Sequence, residues 1–155
     1  MSGEFYEFTI DKFLLRVKKG LLYTKDDVWV HLGPTIHKIG LTDYAQRTGG
    51  DIVFIDFPTE LRTFEAGESL AEYETIKAVL DVKAPFKCRV TEYNAEVSES
   101  PELINEDPYG QGWVAGITPL NDAPEKQLLT AEEYFEHMKV KAEAEAKKLK
   151  GIKDD

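Results

Sequence analysis

Apolar and polar positions divide the chain into many short runs followed by one long terminal run. Near the start, Ile10, Phe13, Leu14 and Val17 recur at helical spacing, which predicts a short amphipathic helix ended by Gly20. Strand-like runs follow at residues 21–23, 28–32, 35–39 and 52–57, with Gly33-Pro34 punctuating the second and third. Between them Thr42 has the chemistry of an N-cap, Gln46 stands near the capping-box position, and Gly49-Gly50 stops one or two helical turns. Pro58 and Gly67 flank the next crossing. The second half repeats the theme, with a strand over 86–93, a loop or short turn over 99–103 and a last strand over 113–117. At Thr130 the character changes. Thr130-Ala131-Glu132-Glu133 is a capping box, residues 131–150 are rich in Ala, Glu, Lys and Leu, and Gly151 suits a C-cap. Many short strands set off by Gly and Pro, then one helix, predict a mostly β barrel or sandwich with a C-terminal helix.

One pair of runs carries more than architecture. Residues 68–73 and 79–84 are both strand-like, and only a few residues join them, which predicts a hairpin. Lys77 falls at its tip, within Glu74-Thr75-Ile76-Lys77-Ala78. A lysine there projects its amine away from the body, where an enzyme can modify it and a long attached group can swing. Glu74 places a carboxylate near that amine for a modifying ligase to read. Lysines are also ordinary residues on exposed turns, so the position alone does not decide.

Composition narrows the choices. The chain has 155 residues, 42% hydrophobic and 31% charged, enough for one domain with extensions. Its net charge of −10 argues against nucleic acid and anionic membranes, which call for basic patches. A single cysteine, Cys88, rules out an internal disulfide and points to a reducing, cytoplasmic compartment. Beside Phe86 and Val90, Cys88 reads as a small packed hydrophobe rather than a redox thiol. The acidic N-terminus and the lack of a long apolar stretch predict neither a signal peptide nor a membrane span. His31, His37 and His137 form no metal-ligand pattern, so no metal site is expected. Trp29 and Trp113 read as core or partly buried platforms.

Five stretches in order resemble the H protein of the glycine cleavage system, over roughly residues 23–137. They are Tyr23-Thr24-Lys25 with Trp29-Val30, Ile39-Gly40-Leu41-Thr42-Asp43-Tyr44-Ala45-Gln46, Gly50-Asp51-Ile52-Val53-Phe54, the Lys77 segment, and Ser100-Pro101-Glu102-Leu103-Ile104-Asn105-Glu106-Asp107-Pro108-Tyr109-Gly110-Gln111-Gly112-Trp113. The last is the most specific. The resemblance implies a hammerhead, barrel-sandwich-hybrid lipoyl domain over 23–137, an N-terminal extension over 1–22 and a charged helical tail over 138–155. It implies lipoic acid on Lys77, a lipoate ligase or lipoyl transferase that recognises Glu74, and a carrier that is not itself an enzyme. Its partners would be a glycine decarboxylase, an aminomethyltransferase and a dihydrolipoyl dehydrogenase. Asp81, four residues past the lysine, matches a position that lines the family's arm cleft.

The chain also departs from the family. H proteins usually carry His-Glu before the tryptophan, where this chain has Asp27-Val28, so a carboxylate of the aminomethyl pocket is missing. If 26–29 is one extended strand, Asp26 shares the Val28 side and partly compensates. Leu80 stands where serine is more usual. The lost carboxylate motivates an alternative: a lipoate-binding sulfur carrier serving a heterodisulfide-reductase-like sulfur-oxidation complex. A third reading is an unmodified interaction protein on the same fold. Biotin carriage is disfavoured because no methionine flanks Lys77.

Overall fold

The computed structural model describes residues 2–154. In chain order the strands are β1 (Phe5–Ile10), β2 (Phe13–Lys18), β3 (Leu22–Tyr23), β4 (Val28–His31), β5 (His37–Leu41), β6 (Ile52–Asp56), β7 (Thr63–Phe64), β8 (Ser69–Thr75), β9 (Val79–Lys83), β10 (Cys88–Tyr93), β11 (Ala115–Pro119) and β12 (Leu129–Thr130). The helices are α1 (Asp43–Gly49), α2 (Ala95–Glu99), α3 (Glu102–Glu106) and α4 (Ala131–Asp154). Seven strands form one sheet in the order β12-β3-β4-β5-β11-β10-β7, three form a second in the order β6-β8-β9, and β1 pairs with β2. The fold is mostly β with a C-terminal helix, as the patterning predicts.

β4 shows how the sheets share the core. Val28 and Val30 enter the main core with Ile39, Leu41, Phe64, Phe86 and Ile117. Trp29, between them, enters a second core with Leu15, Val17, Tyr23, Tyr44, Tyr134 and Met138. A strand covered on both faces reads as a continuous apolar run, because alternate side chains point to opposite sides.

That second core corrects the N-terminal expectation. The predicted helix over 10–17 is instead the β1–β2 hairpin, with Ile10 opposite Phe13. The governing period is two: Tyr6, Phe8 and Ile10 pack inward from β1, and Leu15 and Val17 from β2. Asp11 turns the chain at a positive φ of 52°. Phe13 and Leu14, which completed the helical spacing, are exposed.

α1 starts as predicted, with Thr42 Oγ1 accepting the Ala45 N–H at 3.2 Å, and it ends at Gly50, whose φ is 91°. Residues 99–103, expected as loop or turn, contribute to two short helices, α2 and α3. α4 opens with the reciprocal capping box: Thr130 Oγ1 accepts the Glu133 N–H, and Glu133 Oε1 accepts the Thr130 N–H. It continues through Gly151 instead of capping there. Ala131, Tyr134, Met138 and Ala142 form its buried stripe. The outermost residues of the two predicted extensions, Met1 and Asp155, lie outside the described residues.

Candidate functional site

β8 and β9 form the predicted hairpin. Glu74 pairs with Val79, Tyr73 with Leu80 and Glu72 with Asp81. At the tip the Thr75 N–H donates to the Ala78 carbonyl at 2.9 Å, closing a tight turn through Ile76 and Lys77. The buried Thr75 hydroxyl also accepts the N–H of Lys77 at 3.0 Å and of Ala78 at 3.1 Å. One side chain therefore satisfies two amides of a turn that would otherwise rely on water. Lys77 is exposed, beside Ile76, which is 75% exposed.

The base of the arm is held from a second direction. A Cβ at Gly50 would stand 3.7 Å from both Cδ and Cε of Lys77, so the stem runs close along this backbone. Asn105 fixes that loop: its Nδ2 donates to the Gly50 carbonyl at 3.3 Å and to Gln46 Oε1 at 3.0 Å. Its Oδ1 accepts the Ile52 N–H at 2.8 Å. Asn105 belongs to the most specific of the five stretches, but composition and spacing gave no sign that it braces the lysine's surroundings.

Lys77 opens onto a cleft of about 880 Å³. Leu41, Tyr44, Tyr73 and Leu80 supply apolar wall, and Asp26, Asp27 and Asp81 supply carboxylates. Of the predicted site residues, Lys77, Asp81 and Asp26 thus share one cavity. Glu74 does not line it; it sits on the exposed face of its sheet, in register between Phe54 and Val79. Asp81 Oδ1 accepts the Ser69 hydroxyl at 2.7 Å, which orients the carboxylate.

Asp26 reaches the cleft by a route the alternation argument did not foresee. Residues 24–27 are a turn, not strand. The Asp27 N–H donates to the Thr24 carbonyl, and the N–H groups of Asp26 and Val28 donate to Thr24 Oγ1. Val28 itself is fully buried opposite Leu41 and does not line the cleft. The firmly held carboxylate is Asp27, which has a positive φ of 64°. Its Oδ1 accepts the Tyr134 hydroxyl at 2.7 Å, and its Oδ2 pairs with Lys141 Nζ at 2.7 Å.

These acids colour the cavity. Burial pushes the Tyr73 phenol up to about 12, with Asp27 and Asp81 adding to the shift. Burial also pushes Tyr44 up to about 12, with Asp27 and Glu145 adding. Both phenols stay neutral at physiological pH and offer hydroxyls in a partly apolar recess of mixed charge, where Lys25, Arg47, Lys83 and Lys141 stand among the acids. Among the described residues, no group of three or more His, Cys, Asp or Glu could hold a metal ion. No helix among them is long and apolar enough to cross a membrane.

Known proteins match this architecture over most of its length. A family described as glycine cleavage H-protein matches residues 21–141. The glycine cleavage system H protein of Bacteroides fragilis is 45% identical over 112 residues, covering 72% of this chain and 89% of the relative. That of Herpetosiphon aurantiacus is 46% identical over 114 residues, covering 74% and 87%. A probable glycine cleavage system H protein from Aeropyrum pernix is 35% identical over 143 residues, covering 92% of this chain and 100% of its own. Among solved structures, a glycine cleavage system H protein from Mycobacterium marinum superposes with a TM-score of 0.66 at 35% identity, covering 74% of this chain and 92% of that one. With its lysine hairpin, the cleft beside it and its five ordered stretches, the chain belongs to the glycine cleavage H-protein family.

Proposed function

We propose that this protein is the lipoyl carrier of a glycine cleavage system, with the lipoyl group in amide linkage to Lys77. The observation that carries the reading is Lys77 at a braced hairpin tip, opening on the cleft that Asp26, Asp27 and Asp81 share. The cleft fits the group: its volume lies in the range of about 300–1,000 Å³ typical of small-molecule sites, and its walls are apolar enough for an acyl chain. When bound, the lipoyl group supplies a dithiolane that can be reduced, loaded and reoxidised while other proteins do the catalysis.

The chain's own residues then have distinct tasks. Thr75 and Asn105 fix the base of the arm, and Leu41, Tyr44, Tyr73 and Leu80 offer it an apolar resting wall. Asp81 and Asp26 offer carboxylates to a cationic amine, the role the departure at Val28 leaves open, while Asp27 is already paired with Lys141 at 2.7 Å. Glu74, on the outer face between Phe54 and Val79, is presented to the lipoate ligase or lipoyl transferase. The partners of this carrier are a glycine decarboxylase, an aminomethyltransferase and a dihydrolipoyl dehydrogenase. It acts in the cytoplasm and performs no catalysis alone. Its working division is an N-terminal extension over 1–22, the carrier domain over 23–137 and a helical tail over 138–155. The sulfur-carrier alternative finds no support here: the relatives named above all carry glycine cleavage names.

The test is lipoylation followed by exchange. Protein produced with lipoate and a ligase should gain the mass of one lipoyl group, lose it in Lys77→Arg, and support glycine–bicarbonate exchange by a glycine decarboxylase. A fully lipoylated sample that gives no exchange, beside an active H protein, would overturn the glycine cleavage assignment.

A further inference from the structure

We propose that the two terminal segments complete the arm cleft: Phe13, from the β1–β2 hairpin, and Leu149, from the distal part of α4, form an outer rim that shelters the dithiolane end of the arm. The inference rests on the lipoyl-carrier reading and adds the residues that control access to the arm.

Four observations converge. First, Phe13 and Leu149 line the same cleft as Lys77, although they come from opposite ends of the chain. Both are conspicuously exposed for large apolar residues, at 42% and 58%. Apolar groups facing one recess from two separate elements are what an acyl chain folding into it would remove from water. Second, the rim is anchored. Lys141 and Tyr134 both hold Asp27 at 2.7 Å, and Met138 and Ala142 are buried, so α4 is pinned where it begins to border the cleft. Third, the two segments are tied to each other, since the Tyr6 ring of β1 stacks on Phe135 of α4 with centroids 5.2 Å apart. Fourth, the family match covers residues 21–141, so neither rim residue falls within it.

The consequence is protection. A reduced arm carries two thiols, and a wall beside them limits the approach of water and of thiol reagents other than the docked partners. The rim residues are exposed before the arm folds down, so removing them leaves the packed core intact.

The test uses full-length protein, lipoylated on Lys77 as verified by intact mass, with the arm chemically reduced. Alkylation of the arm by iodoacetamide is followed by mass, with the unlipoylated chain giving the background from buried Cys88. Phe13→Ser and Leu149→Ser should each speed alkylation by about two- to fivefold, as loss of a partly covered apolar contact implies. Leu120→Ser removes an equally exposed leucine that does not line the cleft, and should leave the rate unchanged. Rim variants that react at the wild-type rate, or an equal acceleration in Leu120→Ser, would overturn the proposal while leaving the carrier reading intact. A chain that accepts no lipoate overturns both.

Discussion

Thr75 Oγ1 accepts the backbone N–H of Lys77 at 3.0 Å, so the residue that positions the carrier lysine is its near neighbour in sequence. The same oxygen accepts the Ala78 N–H, and Thr75 is buried. Replacing it with valine keeps the shape and deletes the acceptor. Thr75→Val should cost about 1–3 kcal/mol, because two turn amides lose their partner, and should slow lipoylation of Lys77. Thr75→Ser, which keeps the oxygen, should retain most of both. Denaturant midpoints and the rate of mass gain with ligase check this. A valine variant modified at the wild-type rate would show that the ligase reads the turn without needing it ordered.

Asn105 supports the arm from the other side. Asn105→Ala leaves the Ile52 N–H without its side-chain acceptor and frees the Gly50 carbonyl and Gln46. A loss of about 1–3 kcal/mol is expected, together with slower lipoylation, since the Gly50 backbone borders Lys77 Cδ and Cε. Thermal melting and ligase kinetics on one preparation separate the effects. Lost stability with unchanged kinetics would confine Asn105 to a structural role.

Much of this was legible in the sequence where one local rule acts alone. The lysine hairpin, the Thr42 cap and the Thr130–Glu133 capping box each follow from a few neighbouring residues. In the N-terminal segment the helical spacing misleads, because Phe13 and Leu14, both exposed, complete it by coincidence. The real signal, inward residues at 6, 8, 10, 15 and 17, is split by the Asp11-Lys12 turn. Helix α4 was foreseen, but its burial was not: a stripe of Ala131, Tyr134, Met138 and Ala142 looks sparse among so many charges. The cleft was half visible. The sequence places Asp81 and Asp26 near Lys77, whereas the role of Asp27 depends on Tyr134 and Lys141, more than a hundred residues away.

Val28 gives a sharper test of that reading. Sequence comparison with the family invites restoring the missing acid by Val28→Glu. The structure opposes it: Val28 is 0% exposed, in the main core, opposite Leu41. A glutamate there would bury a carboxylate among apolar side chains, so Val28→Glu should lower stability by about 3 kcal/mol. It should not improve glycine-dependent loading. A variant that melts like the wild type and loads better would mean that β4 turns its other face to the cleft.

Cys88 supplies a prediction in pH. Burial pushes its thiol up to about 12 from an ordinary value of 9.0. The folded state therefore keeps the thiol neutral, while the unfolded chain ionises as pH rises through 9. The resulting stability is fully present below pH 9 and is lost progressively as pH climbs toward 12. Tyr44, Tyr73 and Tyr93, all pushed up to about 12 by burial, act in the same direction from an ordinary value of 10.0. Stability measured between pH 8 and 11 should fall, and Cys88→Ala should flatten the earliest part of that decline. At pH 8 the native thiol should resist iodoacetamide and become reactive only in step with unfolding by urea, since a buried neutral thiol is a poor nucleophile. Rapid labelling of the folded protein would show instead that Cys88 is accessible, and would return it to consideration as a redox partner of the arm.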